Sequence, residues 1–128
     1  MALLETAIVA SDWLKAEDGS YRSRDTAIIA SGAGKLVSGT VLAKVAATGK
    51  YVPAAAAAAG SDGSQTAVAV LLFPVDATSA DAKAVIVSRH AIASHAGLTY
   101  GATINDATKR AAANAQLGAV GIIVRQGA

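Results

Sequence analysis

From residue 26 onward, glycines cut the chain into short β-branched runs, and this punctuation confines it to a fold of short strands. Thr26-Ala27-Ile28-Ile29-Ala30 reads as a strand and Ser31-Gly32-Ala33-Gly34 as a turn. Leu36-Val37 leads to Gly39, and Thr40-Val41-Leu42-Ala43-Lys44-Val45 reads as a second strand. Thr48-Gly49-Lys50 turns it back into Tyr51-Val52, a hairpin that Pro53 stops. Thr66-Ala67-Val68-Ala69-Val70-Leu71-Leu72 starts with small and large apolar residues alternating and ends fully apolar, as a strand buried on both faces does. Residues 75–81 read as a loop, and residues 84–89 and 120–124 as further strands.

One helix is expected, over residues 105–117. Asn105 or Asp106 can cap its free N–H groups, Lys109-Arg110-Ala111-Ala112-Ala113 favours it, and Gly118 is placed to end it. The six alanines 54–59 lie between Pro53 and Gly60-Ser61-Asp62-Gly63-Ser64. Six residues are too few for a stable isolated helix, so the tract reads as a surface loop with at most one helical turn. There is no βαβ series and no repeat of solenoid length. The expected class is mainly β with a minor helical part, a domain over residues 21–128 preceded by a flexible N-terminal arm, residues 1–20.

That N-terminal segment differs from the rest. It carries Glu5, Asp12, Glu17 and Asp18 against Lys15 alone, whereas residues 21–128 hold ten basic and five acidic side chains. It ends in the turn signal Glu17-Asp18-Gly19-Ser20. Its apolar patches, Leu3-Leu4 with Ile8-Val9 and then Trp13-Leu14, are too short to fold alone. The segment is either a frayed terminus or an arm that orders on a partner. Trp13 favours the arm, because a lone Trp outside the domain body is a common interface contact. The other use of Trp13 is to pack back on its own domain.

Composition narrows the function classes. At 53% apolar, the chain is not disordered throughout, and 128 residues suffice for one domain with a small core. Only 16% of residues are charged, against about 25% in an average soluble domain, so part of the surface is expected to be covered by something other than water. The net charge of +2 comes with no basic stripe; Arg22-Ser23-Arg24 is followed at once by Asp25, and no direct nucleic-acid binding is expected. Without cysteine there is no disulfide and no thiolate chemistry. No run approaches the roughly 20 apolar residues that span a bilayer, and Met1-Ala2-Leu3-Leu4-Glu5 lacks the basic start of a signal peptide, so no membrane partner is expected.

No catalytic constellation is complete in the sequence. Gly32-Ala33-Gly34-Lys35 lacks the earlier Gly and the following Ser or Thr of a phosphate loop; Ile29 and Leu36 stand there instead. His90 and His95 are spaced for neither one helix face nor one strand face, and no carboxylate lies beside them. Asp62, Asp76, Asp81 and Asp106 fall in turns or at a helix start, where such side chains bond local backbone. No serine sits in a nucleophile elbow. The expectation is a non-enzyme with no cofactor, no metal and no catalytic residue.

The order of elements carries a resemblance. Ser23-Arg24-Asp25 precedes Ala27-Ile28-Ile29-Ala30-Ser31-Gly32; Gly39-Thr40-Val41-Leu42-Ala43-Lys44 and Thr48-Gly49-Lys50-Tyr51 follow. Then come Ser61-Asp62-Gly63-Ser64-Gln65-Thr66 and, after the helix, Gly118-Ala119-Val120-Gly121-Ile122-Ile123-Val124-Arg125. In this order and spacing the chain resembles the head decoration proteins of tailed bacteriophages, the lambda protein D-like group, over roughly residues 21–125. The six-alanine tract and the two histidines have no place in that pattern.

The resemblance implies a small β-clip-type domain. It also implies a homotrimer on the outer surface of the expanded phage head, at three-fold and quasi-three-fold sites, made in the host cytoplasm and partnered by the major capsid protein. The implied job is to cement the shell against packaged DNA, without cofactor or catalysis. The N-terminal arm, with Leu3, Leu4, Ile8, Val9, Trp13 and Leu14, is then expected to add a strand to a capsid-protein edge, with Trp13 and Leu14 as its apolar contacts. Arg22 and Arg24 are expected to flank its exit and pair with capsid carboxylates, or else to be solvated charges. Two other classes fit the same sequence: a different trimeric virion module of a tail or fibre, and a nucleotide hydrolase on a similar trimeric β fold.

Overall fold

The computed structural model describes residues 9–19, 22–56 and 62–126. Two short elements open it, helix α1 (Ala10–Trp13) and strand β1 (Leu14–Glu17). Strands β2 (Arg24–Ile29), β3 (Gly34–Leu36), β4 (Val41–Lys44), β5 (Tyr51–Pro53), β6 (Ala67–Leu71), β7 (Val75–Ala77) and β8 (Ala82–Val87) follow. The chain closes with β9 (Ala91–Ser94), a 3-10 turn (His95–Gly97), helix α2 (Ala107–Ala119) and β10 (Ile122–Arg125). The protein is mainly β, as its punctuation predicts.

Five strands close into a barrel in the order β2-β5-β4-β6-β8, with β8 returning antiparallel to β2 from Arg24↔Val87 to Ile29↔Ala82. Its interior is filled by alternate residues, Ala27 and Ile29, Ala69 and Leu71, Ala84 and Ile86, with Leu42 and Ala77. A second core lies outside the barrel wall, where Val41, Ala43, Ala67, Val70 and Val87 meet Trp13, Ala93, Leu117 and Ile122. Strands β4 and β6 therefore serve two cores, which explains why residues 67–71 read as a strand buried on both faces.

The second core is roofed by a three-stranded sheet, β1-β9-β10, and by α2. β9 and β10 run parallel, joined by the α2 crossover that a parallel pair requires. The β4–β5 hairpin forms as its turn residues predict.

Several expectations are corrected. The helix runs to Ala119, and the left-handed turn after it falls at Gly121 (φ 91°) rather than Gly118. Gly118 is an exposed helical residue, whereas a turn at Gly121 delivers Ile122 directly into the core. Asp106 is the cap, its carboxylate accepting from Lys109 N at 2.8 Å. The 75–81 loop contains β7, paired with β3. Ala54, the first alanine of the tract, is core rather than surface; residues 57–59 lie outside the described chain. The domain body begins well before residue 21, since α1 and β1 belong to it.

Candidate functional site

Of the residues singled out for partner binding, Val9, Trp13, Leu14, Arg22 and Arg24 are described. Val9 stands 51% exposed. Its N–H donates to the Asp12 carboxylate at 2.9 Å, and Asp12 N donates back to the Val9 carbonyl at 3.0 Å, which closes the first turn of α1. Trp13 follows and is wholly buried. Its indole N–H donates to Ser38 Oγ at 2.9 Å, and Ser38 in turn donates to the Leu72 carbonyl at 2.7 Å. The socket is tight because two of its walls lack side chains. A Cβ on Gly97 would stand 2.4 Å from the Asp12 carbonyl oxygen, and one on Gly39 would stand 2.9 Å from the Trp13 ring.

Trp13 is thus not outside the body, as the sequence suggested, but at its centre. The reason is that an indole can be buried whole where its one polar atom finds a partner, and Ser38 supplies it. Leu14 is likewise half-buried in β1, opposite Ala93, rather than presented outward. Leu3, Leu4 and Ile8 lie outside the described residues.

The two arginines are engaged within the chain. Arg24 makes a forked pair with Glu17, whose carboxylate also accepts from the Ser23 hydroxyl. The exposed Arg22 pairs with Asp18 at 2.9 Å, and Asp18 also faces His90 at 3.5 Å. The acidic N-terminal segment and the basic start of the body thereby neutralise each other across the turn between them. Arg89 grips Asp25, which also accepts from Ser88.

The Arg24 guanidinium, helped by the Ser23 hydroxyl, holds the Glu17 carboxyl below its usual range against the opposing effect of burial. Asp18, Asp25, Asp62, Asp76 and Asp81 are lowered in the same way by their own hydrogen bonds. The folded state then binds fewer protons in the acid range than the unfolded chain does. Stability is expected to be fully present above the ordinary carboxylate range, roughly pH 4–5, and to fall as pH drops through the lowered values. Glu17→Gln should flatten part of that fall in acid-denaturation curves; an unchanged curve would show that the Glu17 pair contributes nothing.

Three of the four turn acids bond local backbone: Asp62 accepts from Ser64 N, Asp76 from Thr78 N and Asp106 from Lys109 N. Asp81 instead reaches across to Ser31 N and Lys50. His95 accepts at Nδ1 from Asn114 Nδ2 at 3.0 Å, next to the Tyr100 hydroxyl. Sequence reasoning missed this cluster and the exposed Phe73 and Ile123, each 52% exposed. Only the apolar residues carried a local signal, Phe73 just before Pro74 and Ile123 within the apolar run of β10. Among the described residues no three His, Asp or Glu converge as metal ligands, and no helix is long and apolar enough to cross a membrane.

The family model described as bacteriophage lambda head decoration protein D matches residues 3–122. No curated protein matches the chain. The match begins ahead of the Trp13 socket and runs through both cores to the first residue of β10. It selects the head over a tail or fibre module, and a structural role over the nucleotide-hydrolase class. The chain belongs to the bacteriophage lambda head decoration protein D family, and its role is structural, in the capsid of the virion.

Proposed function

We propose that this chain binds as homotrimers to the outer surface of the expanded phage head, at three-fold and quasi-three-fold sites, and cements the shell against packaged DNA. The family match over residues 3–122 carries the reading. A protein that binds only the expanded shell stabilises that state by mass action, provided it makes contacts the unexpanded shell does not offer. Sites where expanded capsomers meet would supply such contacts. A trimer would present three arms, whose individually modest contacts add through effective concentration.

The proposed arm is taken as shorter than residues 1–20. Trp13 is buried and Leu14 half-buried in the body, so the arm proposed to meet the major capsid protein is Met1 to Ile8 with the exposed Val9. Leu3, Leu4 and Ile8 are its apolar contacts, and an added strand on a capsid-protein edge is its mode of binding.

Co-sedimentation with undecorated heads tests this. Binding is expected to expanded heads alone, with the decorated shells surviving heat or chelator longer. Deleting residues 1–8 should weaken binding by about tenfold or more while the melting temperature of the free protein holds, since the Trp13 socket stays whole. Unchanged binding by the deletion would remove the arm. Binding to neither head form would remove the decoration role, and equal binding to both would remove its dependence on expansion.

A further inference from the structure

The structure has three half-buried arginines, Arg24, Arg89 and Arg110. Arg24 holds Glu17, and Arg89 holds Asp25. Arg110, on α2, has neither a carboxylate nor a side-chain hydrogen-bond partner among the described residues. It borders an open cleft of about 370 Å³ with His95, Thr99 and Tyr100, over the apolar Leu98 and Ile104.

The cationic side chain that borders the cleft can only donate. A guanidinium has five N–H groups and no lone pair to give. Asn114 Nδ2 and the Tyr100 hydroxyl both meet His95 Nδ1, at 3.0 and 2.9 Å, and Nε2 has no partner among the described residues. Burial pushes the Tyr100 phenol up, so it stays protonated and donates to Asn114 Oδ1. Asn114 thereby ties both the imidazole and the Tyr100 ring to α2. The Thr99 hydroxyl is unengaged, while the Thr99 backbone is fixed by Gly39 and Val41. Leu98 and Ile104 are almost fully buried beneath, and an apolar floor strengthens any charge-assisted bond formed above it.

We propose that this cleft is a carboxylate-binding site, and that its occupant on the assembled head is an acidic side chain of the capsid protein. The proposal rests on the decoration reading above. A planar guanidinium matches a carboxylate with two parallel bonds, which a point charge cannot do. The chain's own described acids in the body are already committed, as are Glu17 and Asp18, and residues 21–128 carry twice as many basic as acidic side chains, ten against five. The cleft also adjoins the arm's point of departure, because the His95–Gly97 turn that carries His95 packs on Asp12 and Trp13 through Gly97.

The test compares full-length wild type, Arg110→Gln and Arg110→Lys for binding to expanded heads at low and high salt. Thermal melting of each free protein controls for folding. Arg110→Gln is expected to bind about tenfold more weakly or worse, with a shallower salt dependence, and Arg110→Lys to fall between. Melting temperatures should differ little, because no internal ion pair is broken. A folded Arg110→Gln that binds like wild type would overturn the site while leaving decoration intact. Wild type failing to bind heads at all would overturn both. A thermal shift of the wild type by free acetate or phosphate, lost in Arg110→Gln without any change in head binding, would mark a small-anion site and overturn the capsid occupant.

Discussion

Replacing Trp13 with alanine is expected to destabilise the domain by about 3–5 kcal/mol, the range for emptying a fully buried large aromatic site. The side chain is wholly buried in the second core, beside Ala93 and Leu98, and the walls cannot collapse easily. One wall is backbone at Gly97 and another is the turn at Gly39. Ser38 is not orphaned by the change, since its hydroxyl still donates to the Leu72 carbonyl, so the loss is mainly packing. Against a total stability of about 5–15 kcal/mol, the variant should melt roughly 10–20 °C lower. Trp13→Phe keeps the ring but gives up the indole bond to Ser38, and should lose less. Urea unfolding followed by far-ultraviolet circular dichroism measures both. A loss below about 1 kcal/mol for Trp13→Ala would mean that the indole does not occupy its socket in solution. Because Trp13 is the single Trp, its emission also reports whether it stays buried when the protein meets heads.

The second large effect is expected at Gly63. Its φ of +100° lies where side-chain-bearing residues are strained, and an added Cβ would stand 2.3 Å from the Lys44 carbonyl oxygen and 3.3 Å from Ala46 N. Neither neighbour can yield cheaply. Ala46 N donates to the Asp62 carbonyl at 2.9 Å, so the loop is hydrogen-bonded to the end of the β4–β5 hairpin at the point of contact. Backbone strain and overpacking each cost about 1–3 kcal/mol, and Gly63→Ala should lose about 2–4 kcal/mol together. Unfolding by urea again reads the result, and a variant as stable as wild type would show that the loop stands off the hairpin. The Asp62-Gly63-Ser64 stretch is thus a fold requirement as well as part of the pattern that resembles the family.

What the sequence made legible divides along physical lines. Strands whose residues serve a core with period two, such as 27–29 and 84–86, were readable because local order carries the signal. So was β6, whose unbroken apolar run matches a wall shared by two cores. Strand β1 was not, because Leu14-Lys15-Ala16-Glu17 is half-exposed and finds its register only against β9, more than seventy residues on. Trp13 was misplaced for the same reason. Its partners Ser38, Gly39 and Gly97 are distant in sequence, and nothing local distinguishes an interface Trp from a socketed one. Turn acids such as Asp76 were legible because their bonds are local; Asp81, which ties the turn at Ser31 to Lys50, was not. That Arg110 has no side-chain partner among the described residues could not be read from sequence at all, since pairing is a property of the folded surroundings.

The pairing of β1 with β9 also sets an order on synthesis. Every barrel strand lies within residues 24–87, so the barrel's strands have all been made before β9, residues 91–94, exists. The beginning of the chain is therefore translated first but must wait for Ala91–Ser94 to find its place in a sheet. The loop that closes over Trp13, with Gly97 in its wall, arrives later still. A nascent chain thus has every barrel strand in hand while β1 still has nothing to pair with, and only a nearly finished protein can fix Leu14–Glu17 in its sheet.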